Sequence, residues 1–160
     1  TNFEGYIRAL AGGAVLIAFI PMLTDTGGNA GSQASVSVIR GLALGDIELR
    51  DWFRVLWKEI RVAAICGITL ASCNFVKLLL IDRMLLHNYD VTPLIALIVC
   101  LTLLAAVLIA KIVGCLLPLL AKRLGFDPAV MASPFITTIV DALALLAYFG
   151  ISLLVLSPII

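Results

Sequence analysis

The stretch PAVMASPFITTIVDALALLAYFGISLLVLSP, residues 128–158, is apolar almost throughout and carries one full charge, Asp141. A bilayer's hydrocarbon core takes about 20 apolar residues at 1.5 Å rise each, so this stretch reads as a membrane-spanning helix with Asp141 near mid-depth. An acid at that depth costs roughly 2.5 to 3.5 kcal/mol on insertion scales. It therefore faces a protein interior, a partner or an aqueous path.

The residues around it sharpen the choice. Ser133, Thr137 and Asp141 recur every four positions and form one stripe of a helix, which Tyr148 and Ser152 roughly extend. Pro134 has no N–H, so in a helix beginning near 129 it leaves the Val130 carbonyl without a donor. A carboxylate with hydroxyls and free carbonyls is a set of hard oxygen donors, suited to Mg²⁺, Ca²⁺ or Mn²⁺ rather than copper or zinc. The plainer alternative is an acid hydrogen-bonded between helices, with the hydroxyls as packing. The usual meaning of an intramembrane acid favours ion passage.

Composition agrees with a membrane setting. Hydrophobic residues make up 62% of the 160 positions and charged residues 13%, against about 25% charged in soluble domains; mean hydropathy is +1.17. The class is all-α, a polytopic helix bundle with room for four spans and no separate soluble domain. A net charge of +1 offers nothing to nucleic acid. Cys66, Cys73, Cys100 and Cys115 fall in apolar stretches without a CxxC pattern and read as packing residues. His87 stands alone in a polar connection.

The first span covers about residues 6–44. As one straight helix it would be roughly 55 Å long, so a bend is expected near 21–28, where Pro21 precedes a small and polar run. Within that run Asn29, Gln33 and Ser37 repeat every four residues. Asp25, Asn29 and Gln33 are candidates to line a wet path, whereas Gly27 and Gly28 suit either the path or close helix packing. The glycines do not form a phosphate loop, because no Lys follows at the required spacing.

From Asp46 to Ile60 the pattern is amphipathic. Leu49, Trp52, Phe53, Leu56, Trp57 and Ile60 share one side, and Glu48, Arg50, Asp51, Arg54, Lys58 and Glu59 the other. An interfacial helix at 46–60 with Asp46 as N-cap is expected. Spans at 62–81 and 94–120 follow, and the last covers 129–158. Lys77 can reach the surface near Asp82; Lys111 lies deeper and needs a partner. Basic residues cluster at the first and third connections, which places both on the cytoplasmic side of the cell (inner) membrane and both chain ends outside.

Three groups of residues, taken together, resemble the MgtE-type magnesium channels, related to the eukaryotic solute carrier family 41. They are Pro21 with Thr26-Gly27-Gly28-Asn29-Ala30-Gly31-Ser32-Gln33, then Ile39-Arg40-Gly41-Leu42-Ala43, and finally Leu117-Pro118 through Lys122-Arg123-Leu124-Gly125-Phe126-Asp127-Pro128-Ala129 to Ser133-Pro134-Phe135-Ile136-Thr137-Thr138-Ile139-Val140-Asp141. The resemblance implies a homodimer with a pore between subunits and cytosolic sensor domains in the full-length chain. It also implies five transmembrane helices, of which this chain holds four, as a fragment beginning after the first. Hydrated Mg²⁺ would be held at Asp141 with oxygens from Thr137 and Ser133. Ala142-Leu143-Ala144 departs from the Val-Thr-Gly that many members carry after the acid. Other readings are a proton-coupled cation carrier, an intramembrane aspartyl protease using Asp25 and Asp141, and a scaffold without transport.

Overall fold

Pro21 sets where the first described helix starts. In the computed structural model, which describes residues 15–131 and 133–156, residues 15–18 are helical, Phe19 is a turn, and α1 runs Ile20–Leu44. The missing N–H of Pro21 deprives the residue four before it of a donor, and Phe19 N–H bonds the Leu16 carbonyl at 3.1 Å instead. The interruption thus falls at Phe19, ahead of the expected 21–28. The polar run that follows stays helical. Thr24 and Thr26 donate to the Ile20 and Met22 carbonyls at 3.1 and 2.7 Å, and Gly27, Gly28 and Gly31 are buried against neighbouring helices, so packing outweighs weak helix propensity. The start of the first span at 6–14 and the end of the last at 157–158 lie outside the described residues.

Gly45, at φ 78°, ends α1 in the left-handed conformation that glycine adopts at least cost. A 3₁₀ turn at Leu49–Asp51 leads into α2, Trp52–Lys77. Glu48, rather than Asp46, opens this turn, with its N–H donating to the Asp51 carboxylate at 3.0 Å. Residues 46–60 do not form a helix of their own. Nothing between Ile60 and Val62 breaks a helix, so α2 passes unbroken through the expected boundary at 61. It continues into a π-helical stretch, Leu78–Leu85, four residues beyond the expected end at 81. Lys77 meets Asp82 there at 2.9 Å.

Thr92 caps α3, Pro93–Arg123, by accepting from Ile95 N–H at 3.2 Å, with Pro93 in the first turn where no N–H is needed. A 3₁₀ turn at Pro128–Met131 precedes α4, Ser133–Leu156. Pro134 is therefore in the first turn of α4 and frees no carbonyl within a helix, contrary to the reading of a helix from 129. Its own carbonyl accepts from the Thr137 and Thr138 hydroxyls at 3.0 and 2.9 Å.

All regular structure among the described residues is helical. The apolar helix α3 is the hub: α1, α2 and α4 pack on it, and α1 also packs on α4. Leu23, Leu78, Ile98, Val99 and Leu103 fill one end of the core, and Val38, Leu42, Cys115 and Leu119 the other. Ile65, Ile68 and Val76 on α2 and Leu146, Leu153 and Leu154 on α4 are exposed, an outer surface suited to lipid. Leu49–Leu85, Pro93–Arg123 and Pro134–Leu156 are long and apolar enough to cross a membrane. The 25 residues of α1 are long enough, but the polar run sets it apart from those three.

Candidate functional site

Small residues bring α1 close to α4 beside the Asp141 carboxylate. A Cβ added to Gly28 would stand 3.2 Å from Thr137 Cγ2 and 3.7 Å from Asp141 Oδ1, and one added to Gly27 would stand 3.1 Å from Val140 Cγ1. At Gly31 the limits are the Ala110 carbonyl and Ile136 Cγ2, both 3.1 Å away. Gly114 on α3 packs so tightly on Gly31 that a Cβ there would collide with the Gly31 carbonyl. Gly27 and Gly28 are buried in this close packing, and Gly28 also borders the Asp141 carboxylate.

Asp141 is partly exposed, with Asp25 of α1 within Coulombic reach. Thr137 lies one turn before it. Its hydroxyl proton is committed to the Pro134 carbonyl at 3.0 Å, which leaves the oxygen lone pairs as acceptors. The side chain of Ser133 lies outside the described residues. Tyr148 and Ser152 do not extend this exposed stripe: both are buried, and Tyr148 donates to the Leu16 carbonyl at 2.8 Å, tying α4 to the segment before α1. Among the described residues no three His, Cys, Asp or Glu side chains converge as a metal cage.

The adjoining exposed side of α1 carries the second polar group. Asp25, Asn29 and Gln33 are exposed along one side of the helix. With Thr26 they border a groove of about 230 Å³ between α1, α2 and α3, closed by Cys66, Leu70, Val107 and Lys111. Lys111 finds the partner its depth requires in Glu59, at 3.4 Å, with side chains 9% and 6% exposed. The amphipathic pattern of residues 46–60 places Glu59 on a charged outer face, whereas in the structure it is buried against α3. The available signal was its register: in an unbroken α2, Glu59, Ala63, Cys66, Gly67 and Leu70 lie on one side, mixing an acid with small residues that pack on a neighbour.

The Asp141 carboxylate and the Thr137 hydroxyl on α4, with Gly28 of α1 packed beside them, are hard oxygen donors on one partly exposed face, the donor type that suits a hydrated divalent cation. Comparison with known proteins points the same way. The family model for MgtE, described as a divalent cation transporter, matches residues 20–151. The chain belongs to the MgtE family. It is 36% identical over 156 residues to the magnesium transporter MgtE of Thermus thermophilus, covering 98% of this chain and 33% of that protein. Identity to the magnesium transporter MgtE of Enterococcus faecalis is 30% over 152 residues, 95% of this chain and 31% of the relative. For the Bacillus subtilis protein of the same name it is 29% over 138 residues, covering 84% and 28%. The chain spans about a third of the length of the curated relatives it matches. MgtE proteins are membrane transporters and not enzymes, so the aspartyl-protease alternative falls.

Proposed function

We propose that this chain is the membrane part of a magnesium transporter and that Mg²⁺ passes along the face where α1 meets α4. Asp141 supplies the charge that attracts the ion, and Thr137 and Ser133 add oxygens on the same helix. Asp25, Asn29, Gln33 and the first turn of α4 at Pro134 border the path. The observation that supports this reading is the Asp141 carboxylate lying next to Gly28, where α1 and α4 pack closely. The names of the relatives support Mg²⁺ as the ion carried.

Mg²⁺ releases its water reluctantly and is commonly held through one or two carboxylates with water filling the remaining positions. One carboxylate per chain on a partly exposed face suits such an ion, and two chains related by a two-fold axis would offer two. The complete transporter is then a homodimer in the cell (inner) membrane with the polar faces turned inward. The first and third connections face the cytoplasm, where regulatory domains outside this segment sense Mg²⁺.

The test is Asp141→Asn in the full-length protein, reconstituted in liposomes. Size and hydrogen bonding are kept while the charge is lost. Mg²⁺ uptake is expected to fall by about tenfold or more, with thermal stability in detergent unchanged or higher because a charge in the membrane is removed. Normal uptake by a well-folded Asp141→Asn protein would falsify the role of this residue. Uptake that requires a proton gradient would favour the coupled carrier over the channel.

A further inference from the structure

Lys111 presents a problem for a cation path. It borders the same groove as Asp25, Asn29 and Gln33, and a buried ammonium beside that groove repels a divalent cation. Among the described residues the ion-pair partner of Lys111 is the Glu59 carboxylate at 3.4 Å, across the α2–α3 packing. Arg54, Lys58 and Arg61, the basic neighbours of Glu59 on α2, are exposed on other sides of the helix. A buried ion pair has little net stability advantage over a well-packed apolar pair, so packing alone does not account for these two charges.

We propose that Glu59 is a positioning residue for cation passage: its carboxylate holds the Lys111 ammonium against α2 and cancels its charge, so that the Asp25 side of the groove keeps a negative potential. The inference rests on the ion path proposed above. Neutralising Glu59 and neutralising Lys111 then have opposite consequences for a cation, although both break the same pair.

The experiment measures Mg²⁺ uptake against Mg²⁺ concentration in liposomes containing the full-length protein. Glu59→Gln leaves the ammonium unmatched, and the KM for Mg²⁺ is expected to rise by about tenfold. Lys111→Met leaves the carboxylate unmatched, and KM is expected to fall below the wild-type value. The double variant returns KM to near wild type. A pair that is only structural moves both single variants in the same direction, and that result overturns the proposal, as does a folded Glu59→Gln protein with wild-type KM. If Glu59→Gln does not fold, Lys111→Met is compared with the double variant: a lower KM for Lys111→Met supports the proposal, and equal values overturn it. Asp141→Asn is run beside them. Impaired uptake there with indistinguishable Glu59 and Lys111 variants defeats the Glu59 inference alone, whereas normal uptake in Asp141→Asn removes the path and the inference together.

Discussion

At the scale of single residues, the site depends on atoms that are missing. Gly28 lets Thr137 of α4 pack closely on the α1 backbone, with the Asp141 carboxylate alongside, and Gly31 with Gly114 lets α1 sink against α3. Close approach of this kind is a main source of helix association in a membrane, where lipid tails are as apolar as the side chains and no hydrophobic force drives helices together. Gly114→Ala drives a methyl into the Gly31 carbonyl, and only a shift of the backbone relieves it. The expected cost is about 1–3 kcal/mol, seen as a lowered unfolding temperature in detergent. Gly150 is the control, since a Cβ there meets nothing within 4 Å. Gly150→Ala should leave stability unchanged or raise it by up to about 1 kcal/mol through better helix propensity. Equal losses in the two variants would contradict the packing account.

At the scale of elements, α1 is held on several sides by more than its apolar core residues. Its glycine face lies on α3 and α4, its C-terminal Leu42 carbonyl accepts from Lys122 at 3.5 Å, and the helical residues just before it are tied to α4 by Tyr148. The Tyr148 hydroxyl, 1% exposed with its ring, bridges from α4 to the Leu16 carbonyl. That carbonyl also accepts from Phe19 N–H where Pro21 interrupts the helical ladder. Tyr148→Phe keeps the ring and deletes the tie. A loss of about 1 kcal/mol is expected, with faster amide exchange confined to residues near Phe19. Uniformly faster exchange over α4 would instead mean that the hydroxyl supports the whole helix.

At the scale of the whole molecule, the described exterior is apolar along much of α2 and α4 and polar along one side of α1. Asp25, Asn29 and Gln33 lie exposed along α1, and polar side chains at such a depth need water or protein. A second copy with the same face turned toward the first meets that need by symmetry. With Cys66 and Cys73, which are both exposed, replaced by Ala, a single cysteine at Asn29 should crosslink two chains in lipid bilayers. A strictly monomeric protein with full Mg²⁺ uptake would rule out the paired arrangement.

The sequence by itself determined that the chain is helical and membrane-bound, because long apolar runs admit little else in a bilayer, where every backbone group must be satisfied within its own segment. It also singled out Asp141, since one charge in such a run has few inexpensive explanations, and the combination of motifs around it pointed to the right family. Boundaries were less legible. The helix break at Phe19, the unbroken passage of α2 through residue 61 and the start of α4 at Ser133 turn on which backbone donors find acceptors, which periodicity does not express. Only the tertiary structure decided that Gly27 and Gly28 pack, that Tyr148 is a tie between elements, and that Glu59 turns inward to meet Lys111, 52 positions away in sequence. Each of these is a relation between two helices, and a side chain's partner across a helix interface is set by how the helices pack rather than by the residues beside it in the chain.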